Sequence, residues 1–299
     1  MRHFLVLLFV ASLGAADPFG VRKVEIRLRL EQQDFAAAAE GARLLNRQWP
    51  DNVETYQLLA TAELGLGNYE KADQALQWMF DLRLGKADAR GYQLLAEFRE
   101  VTGDVEGAIE ALHLAFGRVQ TGEAGNRSLL LAHLARLQLL AGKLALAGKI
   151  LREADLAMPE VGRVESLRWL ALSRTDEAIA ALRHLPPKPR YLYALAELTH
   201  DPADYAAFLK AAVASPDSAN RELVLYWAGV GARPGEALAL ARRESARRHD
   251  VLTQDALAVA LAAAGQGDEA RKTMRAVLAV GTLDPAIVAH AKQLGLAPE

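Results

Sequence analysis

Two glutamates in the stretch "AEFRE", Glu97 and Glu100, come nearest to a catalytic pair in this chain. A spacing of three places both carboxylates on one face of a helix. Such a pair can divide acid and base work only where burial drives the two pKa values apart. Otherwise it is a charged surface facing solvent or a ligand. The histidines (His3, His113, His133, His184, His200, His249 and His290) are scattered, and none forms the H-E-x-x-H pair of a zinc site. No serine lies in a G-x-S-x-G turn. The chain has no cysteine, so it can form no disulfide, thiolate metal site or cysteine nucleophile. The glycine-rich "GVGARPG" at 229–235 follows a helical run rather than a strand, so its amides read as a turn and not as a phosphate cradle. "ARRESARRHD" sets Arg242, Arg243, Arg247 and Arg248 on one expected helix with Glu244 among them, as a charged outer face or a grip for an acidic partner. No catalytic residue, cofactor or metal is expected, and the chain does not read as an enzyme.

The elements that must position these residues are helices. The hydrophobic fraction is 52% but aromatics are only 6%, so alanine and leucine supply the excess. Both are strong helix formers, because alanine loses no side-chain entropy in a helix and leucine little. The net charge of −2 provides no general attraction to nucleic acid or anionic lipid. The first twenty residues, "MRHFLVLLFVASLGAADPFG", run from basic to apolar to small, the order of a secretory signal peptide. Gly14 and Ala16 place the expected cleavage before Asp17, so 1–16 reads as a signal peptide and 17–299 as the mature domain. The apolar run is too short to span a bilayer, which needs ~20 residues. The expected location is therefore periplasmic or extracellular.

The helices repeat. A short polar turn followed by an alanine-led helix recurs at Ala38, Ala72, Ala108, Ala147, Ala178, Ala237 and Ala270. The interval is 34 residues from Ala38 to Ala72, 36 to Ala108, 39 to Ala147 and 31 to Ala178, then 33 from Ala237 to Ala270. The gap between Ala178 and Ala237 leaves room for one degenerate unit around "DPADYAAFLKAAVASP". One turn after each alanine the same face carries Ala42, Leu76, Leu112, Leu151, Leu182, Ala241 or Met274. A further turn on, the apolar pattern fails once, at Glu244. A small residue at the start of this face lets two antiparallel helices approach closely beside their shared turn. The preceding helices echo one another in "TYQLLA" and "GYQLLA". Recurrence at this period signals a solenoid, in which a hairpin buries its apolar face only against its neighbours.

Three connections are distinctive. "HLPPKPRY" breaks the helices at Pro186, Pro187 and Pro189, as a rigid turn between repeats or a break between two lobes at 186–189. Asp201 and Asp284, each followed by proline, read as helix caps, with Asp217 or Ser218 in a similar role after Pro216. The helix from Asp284 to about Leu294 is expected to cover the open end of the stack.

Tyr56, Leu59 and Ala60, followed by Ala72 and Leu76, resemble the tetratricopeptide repeat pattern of an aromatic, a leucine and a small residue, then alanine and a large residue. Pro50 and Pro159 close two units at the same distance from Ala38 and Ala147. The resemblance is clearest over 20–160 and 250–280 and weakest over 186–220. Alanine replaces the usual first-helix glycine and the second aromatic is mostly lost, departures that mark a divergent member; with the signal-like segment, the resemblance is to a bacterial-type exported one. The resemblance implies an all-α, right-handed superhelical solenoid of antiparallel helix pairs with about seven to eight repeats, each touching only its neighbours. It also implies a concave groove lined by the first helices. In register, the groove candidates are Glu54, Gln57, Thr61, Arg90, Gln93, Glu97, Glu100, Arg136, Glu222 and Tyr226. That mixture suits an extended peptide or a partner helix. Asn46, Asn52, Asn68, Asn126 and Asn220 fall near turns or helix ends, so the asparagine–lysine clamp by which some such arrays hold a C-terminal carboxylate is not expected. The function implied is a non-catalytic scaffold for a protein or peptide. The alternatives are a self-assembling structural component or, less favoured, a cell-wall glycosidase on a helical superhelix.

Overall fold

The computed structural model describes residues 17–82, 87–119, 123–155, 157–214 and 219–296. The expected signal peptide and the cap at Asp217 or Ser218 lie outside them. The described residues form helices joined by turns, with no strand among them. The first helices of successive hairpins are α1 (Pro18–Glu31), α3 (Val53–Leu66), α5 (Ala89–Val101), α7 (Ala124–Leu140), α9 (Pro159–Ala171), α11 (Pro189–Thr199), α13 (Asn220–Ala228) and α15 (Val251–Ala263). The second helices are α2 (Phe35–Gln48), α4 (Tyr69–Leu82), α6 (Val105–Phe116), α8 (Leu144–Glu153), α10 (Thr175–Arg183), α12 (Pro202–Ala214), α14 (Pro234–Ser245) and α16 (Gly267–Leu278). A last helix, α17 (Pro285–Gln293), packs on α15.

A left-handed residue turns each first helix into its second. These residues are Gln33, Gly67, Gly103, Gly142, Ser173, His200, Ala232 and Gly265, with φ between 45° and 85°. In six of these turns the next amide reaches back to the carbonyl five positions earlier, as from Asn68 to Glu63 and from Lys143 to Gln138. That bond closes a Schellman turn and satisfies a carbonyl that the helix end would otherwise leave bare. Aspartates then cap second helices. Asp34 accepts from the Ala37 amide, Asp104 from Gly107 and Asp201 from Ala203.

Five positions after each left-handed residue comes the residue at the helix crossing. In seven hairpins it is one of the repeat alanines, and each of the seven is 0% exposed. Leucine at Ala147, within the core of Leu131, Ala135, Leu151 and Val161, should overpack the crossing and cost about 1–3 kcal/mol. Urea unfolding measures this. A midpoint unchanged from the parent would show that the two helices do not approach closely there.

The remaining hairpin, α11–α12, sixth in chain order, is the degenerate unit, and Tyr205 stands where the others have alanine. An aromatic cluster absorbs the larger ring. Tyr205 packs 5.4 Å from Tyr226, and the fully buried Phe208 lies 5.2 Å from Tyr193 and 5.9 Å from Tyr226. The gap in the apolar pattern at Glu244 also has a local cause: its buried carboxylate accepts from Asn220 Nδ2 at 2.9 Å. The arginine run departs from expectation. Arg242 and Arg243 close α14, but the helix stops at Ser245, so Arg247 and Arg248 lie in the connection beyond it. "HLPPKPRY" joins α10 to α11, and Pro189 is the first residue of α11, where its missing amide costs no hydrogen bond.

Chain packing divides into two compact units, Met1–Leu94 with Arg247–Asp250, and Leu95–Ala246 with Val251–Glu299. In the first, α1, α2 and α3 pack on one another and α3 on α4. In the second, helices from α6 to α17 pack on partners one or two elements away. Both units also contain a contact that neighbour-only packing does not anticipate. In the first, the His249 amide donates to the Leu66 carbonyl at 2.7 Å, and Arg248 donates to Gln33 at 3.1 Å. In the second, the backbone of the Thr102–Gly103 turn abuts that of Gly281. Turns remote in sequence therefore meet, which corrects the expectation that each hairpin touches only those before and after it.

Candidate functional site

The groove candidates lie on the first helices α3, α5, α7 and α13, and four of them pair with one another, Arg90 with Thr61 and Arg136 with Glu100. In the first unit, Glu54 on α3 accepts from Lys23 and Arg27 on α1 at 3.1 and 2.6 Å. Gln57 donates to Asp88 at 2.8 Å, and Arg90 on α5 donates to Thr61 at 3.3 Å. In the second unit, Glu100 on α5 accepts from Arg136 on α7 at 2.5 Å and bonds His133 Nε2 at 2.7 Å. Glu160 on α9 accepts from Arg190 and, at 2.8 Å, from the Tyr191 hydroxyl on α11. Asp255 on α15 accepts from Arg221 on α13 at 3.1 Å and bonds His290 Nδ1 on α17 at 2.8 Å. These partners stand 27 to 36 residues apart, about one repeat. Equivalent positions on adjacent first helices thus meet, and in each unit the pairs form a polar ladder across the hairpins.

The rungs differ in strength. Glu54 remains partly exposed, and pairs of that kind contribute about 0–1 kcal/mol. Asp255 is fully buried, where an unpaired carboxylate would be costly to hold. Glu100 is intermediate. Burial opposes its ionisation, but the His133 hydrogen bond and the Arg136 and His133 charges outweigh that, and its carboxyl titrates below the ordinary value. A general acid needs the opposite shift, so the Glu100 carboxyl is not suited to that part. A carboxyl depressed in the folded state adds stability above its unfolded pKa, and that stability is lost as pH falls through the folded value. The parent should therefore lose stability as pH drops below about 4.5, and Glu100→Gln should flatten that loss. Urea midpoints measured from pH 6 down to pH 3 test this, and parallel curves for the two proteins would refute it.

The remaining candidates divide. Gln93 and Glu97 are half-buried on α5. Glu222, half-buried on α13, makes no hydrogen bond or ion pair among the described residues. Tyr226 packs into the aromatic cluster through its ring. Beside that cluster, burial first and then Glu197 hold the phenols of Tyr193 and Tyr205 above their ordinary range. Tyr205 donates to the Glu197 carboxylate at 2.8 Å.

Sequence reasoning missed Lys23, His133, Glu160, Arg190, Arg221, Asp255 and His290 as members of the ladder. A signal was present: opposite charges recur one repeat apart, as at Arg221 and Asp255. Among the described residues no group of three histidine, aspartate or glutamate side chains could hold a metal, and no helix is long and apolar enough to cross a membrane.

No family model matches the chain, and no curated protein matches it. Solved structures do. Cut9, in the structure of the APC/C hetero-tetramer Cut9–Hcn1, is 14% identical over 98% of this chain and 52% of its own, with a TM-score of 0.52. This is a tetratricopeptide-like repeat fold. The array described here spans about half the length of Cut9. Pseudomonas aeruginosa pilF is 18% identical over 66% of this chain and 93% of its own, with a TM-score of 0.47. A tetratricopeptide repeat protein from Parabacteroides merdae is 12% identical over 93% of this chain and 98% of its own, with a TM-score of 0.44. Of the three, Cut9 superposes well enough to bear on the fold. The hairpins, buried alanines and left-handed turns are the tetratricopeptide-like array seen from the residues upward.

Proposed function

We propose that this tetratricopeptide-like array is an exported, non-catalytic scaffold that binds a peptide or partner protein along its first-helix face. The observation that carries the reading is the polar ladder. Each unit holds polar side chains in fixed orientations along adjacent first helices, and Glu97 and Glu222 add carboxylates only half withdrawn from solvent. Ordering such groups in advance lowers the entropy lost when a partner binds. The fold likeness to Cut9, solved in a hetero-tetramer with Hcn1, supports a role in assembly. The basic, apolar, small order of residues 1–16 supports export to the periplasm or beyond.

Charge reversal tests the face. Arg90→Glu with Glu97→Arg should reduce recovery of the partner from native envelope extract at least tenfold and leave the circular dichroism spectrum unchanged. Full recovery would remove the face from the proposal. Export is tested by fractionation with intact mass, which should show a mature chain beginning at Asp17; an unprocessed cytosolic chain would overturn that part.

One observation favours a second reading, self-assembly. Leu44 on α2 and Trp78 and Leu82 on α4 are 46%, 54% and 36% exposed on the second helices of the first unit. Sedimentation velocity across a hundredfold concentration range separates the readings. A concentration-dependent increase in mass that Trp78→Ser abolishes would favour assembly, and a constant monomer mass would favour the scaffold.

A further inference from the structure

Gly103 and Gly281 lie near opposite ends of the second unit in sequence. Gly103 is the left-handed residue of the α5–α6 turn, with φ 85°, and Gly281 lies in the α16–α17 connection, with φ 98°. A Cβ built on Gly103 would stand 2.2 Å from the Gly281 carbonyl oxygen, and one built on Gly281 would stand 2.4 Å from the Thr102 carbonyl oxygen. No real Cβ atom occupies such space. Two bare backbones therefore meet where any side chain would hold them apart. The first unit has an equivalent arrangement: a Cβ on Gly67 would meet the backbone of His249 and Asp250 at 2.4 Å. There, however, the Leu66–His249 hydrogen bond fastens the contact.

The other left-handed glycines of the second unit have a different environment. Gly142 at φ 72° and Gly265 at φ 78° occupy the same turn position as Gly103, yet nothing lies within 4 Å of a Cβ built on either. Their glycine serves the turn alone. Gly103 serves the turn and a close approach.

We propose that the contact between Thr102–Gly103 and Gly281 is a closing seam, at which the second unit opens and recloses without unfolding its hairpins. The reason is a difference in what holds the two kinds of interface. Hairpins are joined by buried leucine, valine and alanine cores, such as the cluster of Leu131, Ala135, Ala147, Leu151 and Val161. Among the described residues no hydrogen bond or ion pair joins the two seam turns. Where Thr102–Gly103 meets Gly281, bare backbone lies against bare backbone, in van der Waals contacts individually worth little. Regions with few buried apolar contacts open first. In a solenoid, a small rotation at each repeat adds up along the array, so the hairpins between the two turns can part the seam while each core stays intact.

The absence of cysteine makes the test clean. Spin labels at Glu106→Cys and Leu283→Cys, two exposed sites flanking the seam, report its width by pulsed dipolar spectroscopy. The parent should show a short, narrow population. Gly103→Ala and Gly281→Ala should shift most of it to longer distances. Gly142→Ala and Gly265→Ala carry the same left-handed strain without the clash and should leave it unmoved. Equal distributions in all four variants would overturn the seam, as would a parent with no short population. A urea titration of the labelled parent needs no glycine variant. The label distance should lengthen at lower urea than the loss of helical ellipticity, and coincident transitions would show that the seam does not open separately. These readouts use the protein alone, so they stand or fall apart from partner binding.

Discussion

Phe208→Ala should destabilise the protein by about 3–5 kcal/mol, the range for emptying a fully buried aromatic site. Phe208 is 0% exposed and sits between the Tyr193 and Tyr226 rings. Its hairpin has Tyr205 at the crossing where the other seven have alanine, so α11 and α12 depend on aromatic packing rather than close helix approach. Removing the central ring leaves Tyr193 and Tyr226 facing a void that stiff aromatic neighbours close poorly. Phe208→Leu should cost less, because it retains most of the volume. Urea unfolding followed by circular dichroism, with the fluorescence of the four tryptophans, Trp227 in the adjoining cluster among them, as a second probe, measures both variants. A loss below about 1 kcal/mol for alanine would show that the cluster can collapse and that the hairpin is held by something else.

The second large effect concerns Asp255. Its side chain is 0% exposed and bonded to Arg221 and His290. Arg221→Ala removes a full positive charge from beside a buried carboxylate, and breaking a buried pair in this way costs about 3–5 kcal/mol. The penalty comes from the charge left behind rather than from the net worth of the pair. Replacing both partners, Arg221→Met with Asp255→Leu, should therefore recover most of the lost stability. A double variant as unstable as Arg221→Ala would show that the pair contributes favourably beyond satisfying the carboxylate. Double-mutant cycles on urea midpoints separate these outcomes.

The repeat was legible because its causes are local. A turn, a cap and a small residue at a helix crossing lie within a few positions of one another and recur at one period. All seven alanines picked out by that recurrence are fully buried. The degenerate unit was legible only as a gap. His200 forms the left-handed turn without glycine, and Tyr205 fills the crossing position without being small. The same reason hides the turns at Gln33, Ser173 and Ala232, where neighbouring structure holds an L-residue in a conformation that sequence rules reserve for glycine.

The candidate face was legible by position and illegible by partner. Glu54, Gln57, Thr61, Arg90, Glu100 and Arg136 do lie on first helices, but their sequence register does not say that they bond across repeats. Glu100 stands three residues from Glu97 in the sequence, but its carboxylate bonds to Arg136 and His133 on the adjacent first helix. Asp255 sits in an apolar helical run, where nothing local shows that Arg221 and His290 converge on it.

By itself, the sequence determined the helical hairpins, their period and the close crossing within most of them, because backbone preference and a one-turn apolar spacing act over a few residues. Only the tertiary structure decided which charges form the ladder, why the α11–α12 hairpin tolerates tyrosine, and that Gly103 meets Gly281 while Leu66 meets His249. Those outcomes join groups on different helices and turns, beyond the reach of any local pattern. They depend on how small rotations add from one hairpin to the next, a quantity that no short stretch of residues encodes.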